Sequence, residues 1–303
     1  MELGMIGLGR MGGNMARRLR RNGVYIVGYD RDAGAAAALA AETGMEAAPS
    51  LERLVEMLDP PRAVWLMLPA GAVTQEYVDR LAAVLASGDL IIDGANSHYK
   101  DSIRRQAALA ARGIDFVDAG VSGGVWGLEN GYALMLGGLG HAVKRVEPVV
   151  RALAPAPDRG WLHCGPPGSG HFVKMIHNGI EYGMMQAYAE GFALMRARED
   201  LGLDVAKIAE MWRHGSVVRS WLLDLTAEFL AKDPAAAEVA PHVDDSGEGR
   251  WTAIEAIEQG VPAPVMSLAL MMRFASQGKS DYAARLLALM RKGFGGHETR
   301  SKR

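Results

Sequence analysis

The stretch that most restricts the fold is Gly7-Leu-Gly-Arg-Met-Gly12, because glycines at that spacing have a specific use where a strand turns directly into a helix. The run from Leu3 to Gly7 reads as a short buried strand, and Asn14 to Arg20 carries a helical pattern behind the glycines. In that context Gly7 permits the tight turn, Gly9 lets a pyrophosphate approach the backbone, and Gly12 lets the helix pack on the strand. The helix N-terminus then faces the phosphates. A second apolar run, Val24-Tyr-Ile-Val-Gly-Tyr-Asp30, ends in an acid 18 residues beyond Gly12, where a carboxylate for a ribose hydroxyl belongs. Together these features predict a dinucleotide site formed by Gly7, Leu8, Gly9, Arg10, Met11 and Gly12, with Asp30 and Arg31 at its far end. A carboxylate accepts from a free 2′-hydroxyl and repels a 2′-phosphate, so NAD is expected, with NADP the weaker option. Arg31 works against that preference if it pairs with a phosphate, and is neutral to it if it only stacks on adenine. Asp30 is also compatible with a plainer role, as N-cap of the helix expected from Asp32 to Ala41.

Further apolar runs, Ala63 to Ala70, Leu90 to Asp93 and Asp115 to Val121, alternate with helical patterns such as Val73 to Leu85. Their continuous rather than alternating hydrophobicity fits a parallel sheet covered on both faces, and the fold class expected is α/β, doubly wound. Ligands in such sheets sit beyond the carboxyl ends of the strands, where Asp93-Gly-Ala-Asn-Ser97 and Ser122-Gly-Gly124 fall, although the same residue types also make ordinary turns. A last short strand, Trp161 to Cys164, precedes Gly165-Pro-Pro-Gly-Ser-Gly170, the expected hinge. That gives a Rossmann-type domain over 1–165 and an all-helical domain over 166–303, with helices near 171–199, 204–213, 216–231, 250–259, 264–277 and 280–292. With 303 residues the chain has room for both, and a net charge of −2 offers no field to draw in a nucleic acid or an anionic membrane. The single cysteine, Cys164, excludes an intramolecular disulfide and fits a reducing cytoplasm. Neither a basic leader nor an apolar run of ~18 residues is present, so a protein that stays soluble where it is made is expected. Clusters of His, Asp, Glu or Cys at metal-ligand spacing are missing, and no metal is expected.

The chemistry concentrates just after the hinge. Lys174, His177, Asn178 and Glu181 are spaced i, i+3, i+4 and i+7, which puts them on one helix face, with Tyr182 beside them. Lys174 and Glu181 are two turns apart, about 10 Å along the axis, so each can address a different atom of one small substrate. Val173, Met175, Met184 and Met185 are the complementary positions, apolar as in a helix half buried against neighbours. Farther on, Arg250 follows Gly247-Glu-Gly249, and Arg291 and His297 stand near the C-terminus. Arg273 interrupts an apolar helix with no acid within a turn, so it either snorkels to solvent or meets an anionic ligand.

Assembled, Gly7–Gly12, Asp93–Ser97, Val121–Gly124 and above all His171-Phe-Val-Lys-Met-Ile-His-Asn-Gly-Ile-Glu-Tyr182 make the chain resemble, over nearly its whole length, the 6-phosphogluconate dehydrogenases in their short decarboxylating form. The resemblance implies Lys174 as general base and acid and Glu181 as a second acid. It implies substrate contacts from Asn96, Ser122, Gly123, Gly124, His177, Asn178 and Tyr182, with Asn96 also bordering the cofactor. Met11 and the loop of Met67, Leu68 and Pro69 would flank the nicotinamide. Arg250 stands where the family often has lysine, and Arg273, Arg291 and His297 match its remaining phosphate and carboxylate ligands, the last two supplied by a neighbouring subunit of a homodimer or homotetramer. Val125-Trp126 replaces an acidic pair common in the long form. The substrate implied is a phosphorylated sugar acid. A neutral Lys174, its pKa lowered by burial from about 10.4, would remove the 3-hydroxyl proton during oxidation and later protonate the carbonyl oxygen as CO2 leaves, and Glu181 would protonate C1 of the enediol. Two other readings share the fold: a 3-hydroxyisobutyrate-type dehydrogenase that releases its keto acid intact, and a dinucleotide-sensing protein without turnover. Glu181 and the C-terminal arginines favour the decarboxylating reading over the first, and an intact Lys174 and Glu181 favour it over the second.

Overall fold

The computed structural model describes residues 2–295 together with 298 and 299. Eight strands, β1 (Glu2–Ile6), β2 (Tyr25–Tyr29), β3 (Glu46–Ala47), β4 (Ala63–Leu66), β5 (Leu90–Asp93), β6 (Asp115–Ser122), β7 (Ala133–Gly138) and β8 (Trp161–Gly165), form one sheet in the order β3-β2-β1-β4-β5-β6-β7-β8. The helices between them are α1 (Arg10–Arg21), α2 (Ala33–Thr43), α3 (Leu51–Glu56), α4 (Ala72–Val84), α5 (Tyr99–Ala110), the single turn α6 (Gly127–Asn130) and α7 (Gly140–Leu153). The long α8 (Ser169–Ala197) follows, then α9 (Val205–Trp212), α10 (Trp221–Lys232), α11 (Glu248–Gln259), α12 (Pro264–Ser276) and α13 (Asp281–Gly295). A Rossmann-type sheet followed by helices is the α/β class expected. Packing divides the chain into two compact units, the first ending at Met175 and the second beginning at Ile176, inside α8.

The sheet is buried on both faces, which is why its strands read as unbroken apolar runs. Leu3, Met5, Trp65, Ile92 and Val117 point to one side, where Met15 and Leu19 of α1, Leu39 of α2 and Val146 and Val150 of α7 cover them. Ile6, Val64, Leu66, Ile91 and Phe116 point to the other, under Leu51 and Leu54 of α3, Val78 and Leu81 of α4 and Leu109 of α5. The parallel pattern fails once, between β6 and β7, which pair antiparallel from Val117↔Gly138 to Ser122↔Ala133. The connection, residues 123–132, holds a 3-10 turn, Gly124–Trp126, and the four residues of α6, and is shorter than the dozen or more that a parallel crossover needs. Two small elements, β3 and α3, have no periodic signal of their own. The first is two exposed residues, and the second is a six-residue helix started by Ser50, whose side chain accepts from Arg53 N.

One buried ion pair ties the carboxyl end of β5 to two helices. Arg105, on α5, donates through Nη1 to Asp93 Oδ2 at 2.6 Å and to Ser97 Oγ at 2.9 Å, and through Nε to Gln75 Oε1 on α4 at 3.0 Å. Both partners of the pair are at most 2% exposed. The pair therefore holds the Asp93–Ser97 loop, one of those expected to face ligands, against α4 and α5.

In the second unit a small core of Phe192, Val205, Ala209, Leu223 and Ala227 joins the end of α8 to α9 and α10, with Tyr188 and Trp212 at its border. Along α8 the burial differs from the expectation of a buried apolar stripe. Met175 is buried, but Val173, Ile180, Met184 and Met185 are exposed, while Lys174 and Tyr182 are buried. Glycines explain the inversion: α8 packs closely where it has no side chain, as at Gly179, where a Cβ would stand 2.6 Å from Thr252 Cγ2 of α11. Among the described residues, no helix is long and apolar enough to cross a membrane.

Removing one member of the Arg105–Asp93 pair leaves a buried charge uncompensated. Arg105→Met is expected to lower unfolding free energy by about 3–5 kcal/mol, and Arg105→Met/Asp93→Asn to recover part of it, as read from denaturant titration.

Candidate active site

The nucleotide cradle is built from glycines that admit nothing else. Gly7 has φ +89°, and a Cβ there would meet Met67 O at 2.3 Å; at Gly12 it would meet Gly7 O at 1.9 Å. Gly9, in contrast, has no atom within 4 Å of the Cβ position, so the turn is open on the side from which a pyrophosphate would come. Arg10 and Arg31 are exposed, Leu8 is buried, and Met11 is half-buried against the sheet core. Asp30 holds the turn from below: Oδ2 accepts from Leu8 N at 2.7 Å and Oδ1 from Asp32 N at 2.9 Å. The N-cap of α2 is Asp32, which accepts from Gly34 N and Ala35 N, so the plainer role considered for Asp30 belongs to its neighbour. A carboxylate fixed beneath the glycine turn, with lone pairs to spare, fits a ribose. Met67 and Leu68 are half-buried and Pro69 is exposed on the loop after β4, which Thr74 steadies by donating from Oγ1 to Pro69 O at 2.8 Å.

At the ends of β5 and β6, Asn96 takes a left-handed conformation, φ +50°, and uses its side chain on the backbone. Its Oδ1 accepts from Val121 N at 3.0 Å, and Nδ2 makes a longer contact, 3.4 Å, to Val121 O. Asn96 thus fixes the start of the Ser122-Gly123-Gly124 loop, in which Gly123 and Gly124 have φ of +128° and +52°. Lys174 is 5% exposed, on the first two turns of α8. Gly120 of β6 faces it: a Cβ there would lie 2.4 Å from Lys174 Cβ.

The second unit gathers a different set. Tyr182, 5% exposed, donates to or accepts from Ser246 Oγ at 3.1 Å. The Arg273 guanidinium lies over the Tyr182 ring, 3.4 Å from its centroid, and Nη1 donates to Asp244 O at 2.8 Å. An aromatic face and a backbone carbonyl thus hold the half-buried Arg273. Gly249 makes room for this stack, since a Cβ there would stand 2.3 Å from Tyr182 Cε2. Arg250 pairs with Asp245 Oδ2 at 2.6 Å and lies 5.3 Å from the centroid of the Phe274 ring. Asp245, whose side chain is 4% exposed, stands five residues before Arg250, and no motif in the sequence marks it. On α8 itself His177 Nδ1 is 3.1 Å from Asn178 Oδ1 and 3.8 Å from Glu181 Oε2, all three half-exposed. Arg291 is exposed on α13, and His297 lies outside the described residues.

The arrangement supplies a dinucleotide cradle in one unit, a tyrosine with two arginines in the other, and one helix carrying a buried lysine and, two turns later, a carboxylate. It is the equipment of a dinucleotide-dependent dehydrogenase acting on an anionic substrate. The model of the NAD binding domain of 6-phosphogluconate dehydrogenase matches residues 2–164, and that of the 6-phosphogluconate dehydrogenase C-terminal domain matches residues 170–300. The chain is 43% identical over 303 residues to the NAD(+)-dependent, decarboxylating 6-phosphogluconate dehydrogenase of Haloferax volcanii, covering 100% of this chain and 99% of that protein. Among solved structures it is similar to Plasmodium falciparum 6-phosphogluconate dehydrogenase, with a TM-score of 0.85 and 29% identity over 100% of this chain and 66% of that one. Salmonella typhimurium 3-hydroxyisobutyrate dehydrogenase is also similar, with a TM-score of 0.75 and 26% identity over 92% and 95% of the two chains. The chain belongs to the 6-phosphogluconate dehydrogenase family.

Proposed function

We propose that the chain oxidatively decarboxylates 6-phosphogluconate to ribulose 5-phosphate and CO2, with NAD preferred over NADP. The observation that carries this reading is α8, on which a buried Lys174 is followed two turns later by Glu181. Bound NAD, held by Gly7–Gly12 and Asp30, supplies the two-electron acceptor. Lys174, 5% exposed, takes the proton of the 3-hydroxyl. That proton then sits on the lysine beside the new carbonyl and is returned to its oxygen as the C1 carboxylate leaves. Glu181 delivers a proton to the enediol carbon that lost the carboxylate, C2 of the substrate and C1 of the product. Asn96 sets the Ser122–Gly124 loop that borders the substrate, while His177, Asn178 and Tyr182 contact it.

Two features favour this over release of an intact keto acid. A short 3-hydroxy acid offers one carboxylate and no second anionic group, whereas 6-phosphogluconate adds a phosphate for which arginines are charge-assisted donors. A protonation at carbon also needs a second acid, which Glu181 provides. The cofactor preference rests on Asp30, and the Haloferax relative, named as NAD(+)-dependent, supports it. Enzyme incubated with 6-phosphogluconate should release CO2 and NADH in equal amounts, with higher kcat/KM for NAD than for NADP and a narrowed gap in Asp30→Ser. NADH formed without CO2 would return the chain to the 3-hydroxyisobutyrate type, and equal use of NADP would remove Asp30 from its role.

The active form is a homodimer or homotetramer in which Arg291 and His297 serve a neighbour's site. Support comes from exposed apolar side chains on α12 and α13, including Val265, Leu268, Met271, Tyr282 and Leu287, a concentration unusual for a free surface. Light scattering of active enzyme should give at least twice the chain mass, and full activity at the monomer mass would contradict the assembly.

A further inference from the structure

The start of α8 is tied to the sheet of the first unit through its own backbone N–H groups, which donate to one carboxylate. Asp118, fully buried in β6, accepts from Gly168 N at 2.7 Å through Oδ1 and from His171 N at 2.8 Å through Oδ2. Behind that joint there is no space: a Cβ at Gly170 would meet Met135 O at 2.4 Å and Asp118 O at 2.5 Å, and one at Gly137 would meet Gly170 N at 2.6 Å. These contacts set how close the helix lies. They control its rotation about its own axis poorly, since both bonds enter at one end, and each residue of a helix turns through about 100°.

Rotation is fixed from α5. His171 is 1% exposed, and its Nδ1 lies 2.7 Å from Oγ of Ser102, which is fully buried. Phe172 meets the Tyr99 ring edge-on at 5.2 Å beside it. Among the described residues, His171 Nε2 is buried without a hydrogen-bond partner. A leucine would fill the same space without stranding a ring nitrogen, so what the imidazole contributes is the bond at Nδ1. Lys174 follows one turn later, its Cβ against bare Gly120.

We propose that His171 and Ser102 are positioning residues, whose hydrogen bond fixes the rotation of α8 and with it the place of the Lys174 amine. The proposal rests on the reading of Lys174 as the proton-transfer group. Whichever of the two groups donates, the bond crosses from α5 to α8 and couples the helix that carries Arg105 to the one that carries Lys174.

The test compares His171→Leu, His171→Asn, Ser102→Ala and Lys174→Met in the full-length enzyme, measuring kcat, KM for 6-phosphogluconate, the NAD dissociation constant without substrate, and thermal stability. His171→Leu and Ser102→Ala should lose about 10- to 100-fold in kcat, the scale expected of an ångström-sized misplacement, with NAD binding unchanged. His171→Asn, which keeps a polar atom near the Nδ1 position, should recover most of that loss. Unchanged kcat in His171→Leu, His171→Asn no better than leucine, or a loss that tracks NAD binding or stability would overturn the proposal. Should His171→Leu fail to fold, Ser102→Ala and His171→Asn decide. If Lys174→Met retains its kcat, the underlying reading of Lys174 is wrong and the proposal falls with it; a silent His171→Leu beside an inactive Lys174→Met overturns the proposal alone.

Discussion

A carboxylate at zero exposure, Asp118, sits in the middle of an apolar strand and accepts two backbone N–H groups from the turn that begins α8. Burying a charge is costly unless it is fully hydrogen-bonded, and bonds to an ionised acceptor are about twice as strong as neutral ones. The arrangement therefore works only with the turn in place, and the turn in place sets the first residues of α8. With the rotation of the helix held from α5 by the His171–Ser102 contact, Lys174 falls against Gly120, and His177, Asn178, Glu181 and Tyr182 follow at fixed offsets. The start of α8 is thus set from a strand that carries none of the groups proposed to react.

Glycine serves two different ends in this chain. At Gly7 and Gly12 it lets backbone meet backbone around a cradle whose outer side, at Gly9, is left open. At Gly120, Gly170, Gly179 and Gly249 it makes close packing possible beside side chains that matter, Lys174 and Tyr182 among them. A consequence is the reversed burial of α8, whose polar groups go inward at the glycines while Val173, Ile180, Met184 and Met185 remain outside.

Local signals made the cradle legible. Gly7–Gly12 and Asp30 are read from spacing within one strand-turn-helix unit, and the helices of the second unit follow from periodicity with boundaries shifted by only a few residues, except at the start of α10. Features that depend on chain reversal or distant pairing were not legible. The antiparallel turn from β6 to β7 follows from a short connection whose content has no hydrophobic pattern. Asp118 reads as one acid in Phe116-Val117-Asp118-Ala119, and its partners are 50 and 53 residues away. Arg273 has no acid within a helical turn, and the Tyr182 ring that it covers lies on another helix. The bond from Val121 N to the Asn96 side chain joins residues 25 apart and has no signal in the sequence.

The central claim is that one helix divides two proton transfers, with Lys174 acting at oxygen during oxidation and Glu181 acting later at carbon. Single-turnover formation of NADH set against steady-state turnover tests it most directly. Glu181→Gln should show a burst of NADH followed by turnover slowed ~10²–10⁴-fold, the usual cost of a lost general acid, while Lys174→Met shows no burst. A Glu181→Gln enzyme without a burst, slowed in the first oxidation as severely as Lys174→Met, would contradict the division.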